Sequence, residues 1–148
     1  MLLVVAIIAM VSAVAFLSSG GRFFETRSAA TIFDAQFAHA RAIAATAGGT
    51  ATLTFAPAPG GSGTLVSLAP PADVPPEPLR ADVSEAALGR PPFSISVDAY
   101  GHATAPSPCP AAGGYALTFT AGPASEVRVV PCPVTAAGSP EPVGTMPP

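Results

Sequence analysis

The first seventeen residues, Met1–Leu17, read MLLVVAIIAMVSAVAFL. No charge interrupts them, and Ser12 is the one polar side chain. A helix of this composition is apolar on every side, so it must be surrounded by protein or by lipid. The chain has 148 residues, 19 of them Pro and 14 Gly, and its remainder is too short and too turn-rich to wrap such a helix. Lipid, or a bundle of identical helices, is the better host. At 1.5 Å per residue the run reaches about 25 Å, against about 30 Å for a bilayer core. It is slightly short, and it lacks the positive region that precedes a secretory signal. The expectation is a membrane helix whose front lies upstream of Met1. Leu2, Val5, Ile8, Ala9, Ala13 and Phe16 are its expected lipid and assembly contacts. Small residues such as Ala9 and Ala13 allow another helix to approach closely.

Composition narrows the function. The net charge is −3, with six Arg scattered along the chain and no Lys. Nucleic-acid binding would require a clustered basic surface. Cys109 and Cys132 are the two cysteines. Behind a membrane anchor they read as one disulfide formed in an oxidising compartment. Two free, buried thiols are the alternative.

Beyond Leu17, Ser18-Ser19-Gly20-Gly21 weakens the helix just before its first charge, Arg22, since each internal Gly costs about 1 kcal/mol relative to Ala. Phe23 and Phe24 follow, suited to a membrane interface or to ordinary packing. From Glu25 to Ala47 the apolar residues recur at three- and four-residue steps, which predicts an amphipathic helix. Gly48-Gly49 ends it. Phe33, Phe37 and Ile43 are its expected contacts with a sheet, met there by Leu53 and Phe55. Strict alternation predicts strands at Thr50–Phe55, Thr64–Leu68, Phe93–Val97, around Tyr115–Phe119 and over Glu126–Val130. Residues 79–88 read as a short strand or as one helical turn. Ala105–Gly114 reads as a loop. The division is 1–21 apolar helix half, 22–49 amphipathic half, 50–132 antiparallel sheet domain, and 133–148 a Pro/Gly-rich disordered tail. The fold class is α+β, one long N-terminal helix packed on a small antiparallel sheet.

No catalytic constellation emerges, and neither metal nor cofactor is called for. His39 and His102 are far apart and lack the partners that a metal or catalytic site needs. Asp98, Tyr100 and His102 suit a turn after a strand better than a proton relay. Gly60-Gly61-Ser62-Gly63 lacks the Lys and the strand-to-helix setting of a phosphate loop. Arg41 reads as a partner for Asp34, for an adjacent subunit, or as a solvated charge. The chain does not read as an enzyme.

The run LLVVAIIAMVSAVAF, the Ala-rich helix after Arg22, and HARAIAATAGGTATLTF together resemble the type IV pilin superfamily, in particular its GspH/FimT-like minor pseudopilins. Ala40, Arg41, Ala42, Ile43, Gly48, Leu53 and Phe55 fit the pattern of that branch. Ile95, Val97 and Gly101 fit its later strand and turn. The resemblance is strong over the first 55 residues and loose beyond. It implies a pilin-like fold and a structural subunit of a type II secretion system or a type IV pilus. It also implies a single-pass inner-membrane protein with a periplasmic C-terminal domain that enters a filament on assembly. Its partners would be other pseudopilins or pilins, the inner membrane and, indirectly, an assembly platform and ATPase. The family's processing site (a Gly, a Phe-Thr-Leu-like run and a Glu) would immediately precede Leu2, but Met1 stands in the place of that Glu. The expectation is a start upstream, with prepilin cleavage and N-methylation following from it. The alternative reading is an anchored or secreted β-rich binding domain unrelated to filaments.

Overall fold

The computed structural model describes residues 2–70 and 75–133, with side chains from residue 21 onward. The helix α1 spans Leu2–Ala47. The expected contacts of Leu2, Val5, Ile8, Ala9, Ala13 and Phe16 lie outside the described side chains, as does the tail from residue 134. From Gly21 on, Thr26, Ala30, Phe33, Ala40 and Ala44 are buried, and Phe37 packs against them half-buried. These positions step by three and four residues, so they form one stripe along the helix. Four of the six are small, which lets the helix backbone settle close to the strands. The helix stops at Gly48, where φ is 63°, and the Gly49 N–H donates to the Ala44 carbonyl at 3.1 Å.

Eight strands follow among the described residues: β1 (Ala51–Pro57), β2 (Thr64–Ala69), β3 (Glu77–Leu79), β4 (Asp82–Glu85), β5 (Phe93–Val97), β6 (Ala103–Ala105), β7 (Gly114–Ala121) and β8 (Ala124–Pro131). They form two antiparallel sheets. One has five strands in the order β3-β2-β1-β5-β6; the other has three, in the order β4-β7-β8. The first turns Leu53, Phe55, Val66, Leu68, Ile95 and Val97 inward, and the second turns Val83, Leu117, Phe119 and Val130 inward, all of them buried. The helix lies across both. Phe33 sits over the seam, its ring centroid 6.2 Å from Phe55 of β1 and 5.6 Å from Phe119 of β7.

This corrects the fold expected from the sequence. The helix covers two sheets rather than one small one, and the arrangement is not clearly that of a pilin. Among the residues whose side chains are described, from 21 onward, no helix is long and apolar enough to cross a membrane. Residues 21–47 carry Arg22, Glu25, Arg27, Asp34 and Arg41, and charges of that density are expensive in hydrocarbon. Alternation fixes which face of a strand meets the core, but it does not name the neighbouring strand. The chain changes sheets within two residues, between Leu79 and Asp82. β3 pairs with β2, whereas β4 pairs with β7. Thr64, buried at the start of β2, joins the two layers, its Oγ1 accepting from the Val83 N–H at 3.0 Å. Beside it the Gly63 N–H donates to Asp82 Oδ1 at 3.0 Å. Gly63 has φ of 86°, and a Cβ there would lie 2.6 Å from the Leu79 carbonyl oxygen. Only glycine fits that corner without a shift.

Two smaller differences have the same origin. Residues 79–88 divide into the end of β3, β4 and a turn in which Glu85 accepts from the Ala87 and Leu88 N–H groups at 2.6 and 2.8 Å. The region expected to be loop begins with the end of β6, which pairs with β5 across a register shift at Ser96/Val97.

Candidate functional surfaces

Three polar contacts and one disulfide fix what this fold presents. On one flank of α1 the Gln36 amide donates to Glu77 Oε2 of β3 at 2.6 Å. On the other flank Arg128 of β8 reaches Asp34, with Nε at 3.1 and 3.0 Å from its two carboxylate oxygens. The Arg128 Nη1 also lies 2.8 Å from Glu126 Oε1. The hydrogen bond to Asp34 holds the Arg128 proton more tightly than usual, burial works against this, and Glu126 adds to the hold. The helix is thus tied at both sheet edges, with Phe33 between the ties. Asp34 pairs with Arg128 and not with Arg41, whose side chain lies over Gly101.

β8 turns Glu126, Arg128 and Val130 toward the helix. Val127 and Val129 point the other way and are 50% and 61% exposed. Alternation along Glu126–Val130 is legible in the sequence, but the charged parity faces the protein and the apolar parity faces out. The Asp34 pairing explains the reversal, and no local signal in β8 announces it. The outer face of the larger sheet is neutral. Thr52 and Ser96 share a hydrogen bond at 2.8 Å, as do Thr54 and Ser94 at 2.9 Å.

Cys109 and Cys132 are joined, with Cα atoms 6.3 Å apart. The bridge ties the end of β8 to the connection between β6 and β7. The Tyr115 hydroxyl, from the first turn of β7, donates to the Pro106 carbonyl in the same connection. Burial pushes the Tyr115 pKa up, and the charge of Glu85 adds to the rise. Between β5 and β6 the Asp98 carboxylate accepts from the Tyr100 and His102 N–H groups at 2.9 and 2.8 Å. Burial raises its pKa, but these two N–H groups and the His102 imidazole outweigh that, and the result lies below the ordinary carboxylate value. These contacts close the turn between β5 and β6. His39 lies on the exposed side of α1. Among the described residues no group of three or more His, Cys, Asp or Glu is placed to hold a metal ion.

The end of the fold nearest Gly21 is different in character. Phe23 and Phe24 are 55% and 72% exposed. Beside them an open groove of about 500 Å³ runs between the start of the described helix, the corner at Gly63–Asp82 and the β7–β8 turn, with Arg22, Glu25, Arg80 and Asp82 on its walls. A second hollow of about 350 Å³ adjoins it through Gly63, Asp82 and Thr120 and carries Arg90. Arg22 is seated on Gly122, where an added Cβ would collide with its side chain. No family model, curated protein or solved structure matches the chain.

Proposed function

We propose that this chain is a structural subunit, held at the bacterial inner membrane by its apolar N-terminal run and built into a filament through that same run. The kind of subunit is the minor pseudopilin or pilin-like one of a type II secretion system or type IV pilus. The periplasm is the proposed site of the folded part. The observation that carries the reading is Met1–Leu17, uncharged and apolar on every helical face, which has no stable place in water. On assembly the run would exchange lipid for neighbouring copies of itself, with Ala9 and Ala13 permitting close approach. The disulfide supports an oxidising compartment.

The two-sheet architecture favours one other reading, an anchored β-rich binding domain that never polymerises. An Ala9→Phe/Ala13→Phe double variant separates the two. Filament incorporation drops sharply while membrane retention persists if the run packs against copies of itself. Normal incorporation would argue for a plain anchor.

A further inference from the structure

The groove at the Gly21 end holds two arginines and two carboxylates in one open hollow. Arg22 and Arg80 are exposed, and among the described residues neither forms an ion pair, whereas Arg128 takes part in two. Asp82 uses Oδ1 to accept from Gly63, which leaves its second oxygen to the groove. Glu25 lies one helical turn from Arg22 on the same wall. Including Arg90 in the adjoining hollow, three of the six arginines of the chain surround the end of the fold from which the helix continues toward its apolar run. The seat of Arg22 on Gly122 restricts where its guanidinium can go. The exposed pair Phe23 and Phe24 adds apolar surface at the same end, of the kind that buries at the boundary between headgroups and acyl chains.

We infer that this groove is a phospholipid headgroup site, specific for a phosphodiester that carries a primary ammonium. Arg22 and Arg80 would hold the phosphate through charge-assisted hydrogen bonds. Glu25 and Asp82 would accept from the ammonium. A purely anionic headgroup would face the two carboxylates without a cation, and a trimethylammonium has no N–H to donate. Phosphoethanolamine satisfies all four side chains. The inference rests on the membrane-anchored part of the proposed function, and not on polymerisation.

The test uses the full chain reconstituted into vesicles of phosphatidylcholine with minor phosphatidylethanolamine or phosphatidylglycerol. Vesicle flotation reports anchoring, and native mass spectrometry after detergent release reports which lipid stays bound. The wild type is expected to float in every mixture and to retain phosphatidylethanolamine about fivefold or more over phosphatidylcholine. Arg22→Gln/Arg80→Gln removes that preference and leaves flotation and the unfolding midpoint unchanged; Glu25→Gln weakens it. Equal retention of all three lipids by the wild type would overturn the headgroup site and leave anchoring standing. A preference for phosphatidylglycerol would overturn the role given to the carboxylates. Displacement of bound lipid by millimolar inorganic phosphate would reassign the groove to a free anion. Failure of the wild type to float would remove anchoring and the headgroup site together. The wild-type comparison needs no variant, so misfolding of a variant cannot mask the answer.

Discussion

Replacing Phe33 with Ala tests whether the helix and both sheets share one core. The ring is 2% exposed. Its centroid lies 5.7 Å from Phe37, 6.2 Å from Phe55 and 5.6 Å from Phe119. Truncating a buried Phe costs about 3–5 kcal/mol, the lost transfer energy plus the cavity. The upper half of that range applies, for two reasons. Aromatic pairs are worth about 0.5–1.5 kcal/mol beyond their area, and the neighbours belong to three elements that cannot all move inward. A loss of about 4 kcal/mol would take a large part of the roughly 5–15 kcal/mol that holds a domain of this size. The assay is urea unfolding of the full chain in mild detergent, followed by circular dichroism. With a slope near 2 kcal/mol/M, the midpoint falls by about 2 M. Phe24→Ala, at a site 72% exposed, moves stability by no more than about 0.5 kcal/mol. A Phe33→Ala loss below 1 kcal/mol, or helix and strand signals that melt at separate midpoints, would refute the shared core.

Other outcomes follow from the same contacts. Cys109→Ser/Cys132→Ser opens a loop with a sequence separation of 23 and should cost about 3.4 kcal/mol on the chain-entropy relation, seen as a fall in Tm of roughly 10–15 °C; an unchanged Tm contradicts it. Gly63→Ala, at φ 86° with the Leu79 carbonyl 2.6 Å away, should cost at least about 2 kcal/mol. Gly60→Ala has a positive φ but open space and should cost about half of that, so equal losses would refute the steric argument. Because the folded pKa of Asp98 is depressed, its charged form stabilises the turn above the unfolded pKa, and that contribution is lost as pH falls through the folded value. The stability gap between wild type and Asp98→Ala, measured by urea unfolding, should therefore shrink from neutral pH toward pH ~2; a constant gap would contradict the role of the carboxylate.

Local patterns in the sequence carry the local structure well. Phe33, Phe37, Ala40 and Ala44 announce one helix face, although Ile32 and Ile43 of the same periodic run are only half-buried and Ala30 goes unannounced; Leu53–Phe55, Ile95–Val97 and Leu117–Phe119 announce inward strand faces. Long-range choices are less legible. The switch of sheets at Leu79–Asp82 depends on Thr64 and Gly63, which stand more than fifteen residues earlier in the chain. The inward orientation of Arg128 depends on Asp34, 94 positions away. Both are tertiary pairings that alternation cannot encode. The groove at the Gly21 end is of the same kind. Arg22, Arg80 and Asp82 look like scattered charges in the sequence, and only the sheet crossing and the β7–β8 turn bring them to one hollow.

The most direct measurement is photo-crosslinking from position 13, with a photoreactive phenylalanine analogue replacing Ala13 in the full chain. It is carried out in bacterial membranes with the assembly machinery present and again without it. Crosslinks to lipid alone are expected without the machinery, and a ladder of subunit–subunit products with it. Crosslinks to lipid in both states would contradict assembly through the apolar run and leave a plain anchor. Crosslinks to neither lipid nor another subunit would contradict the account as a whole.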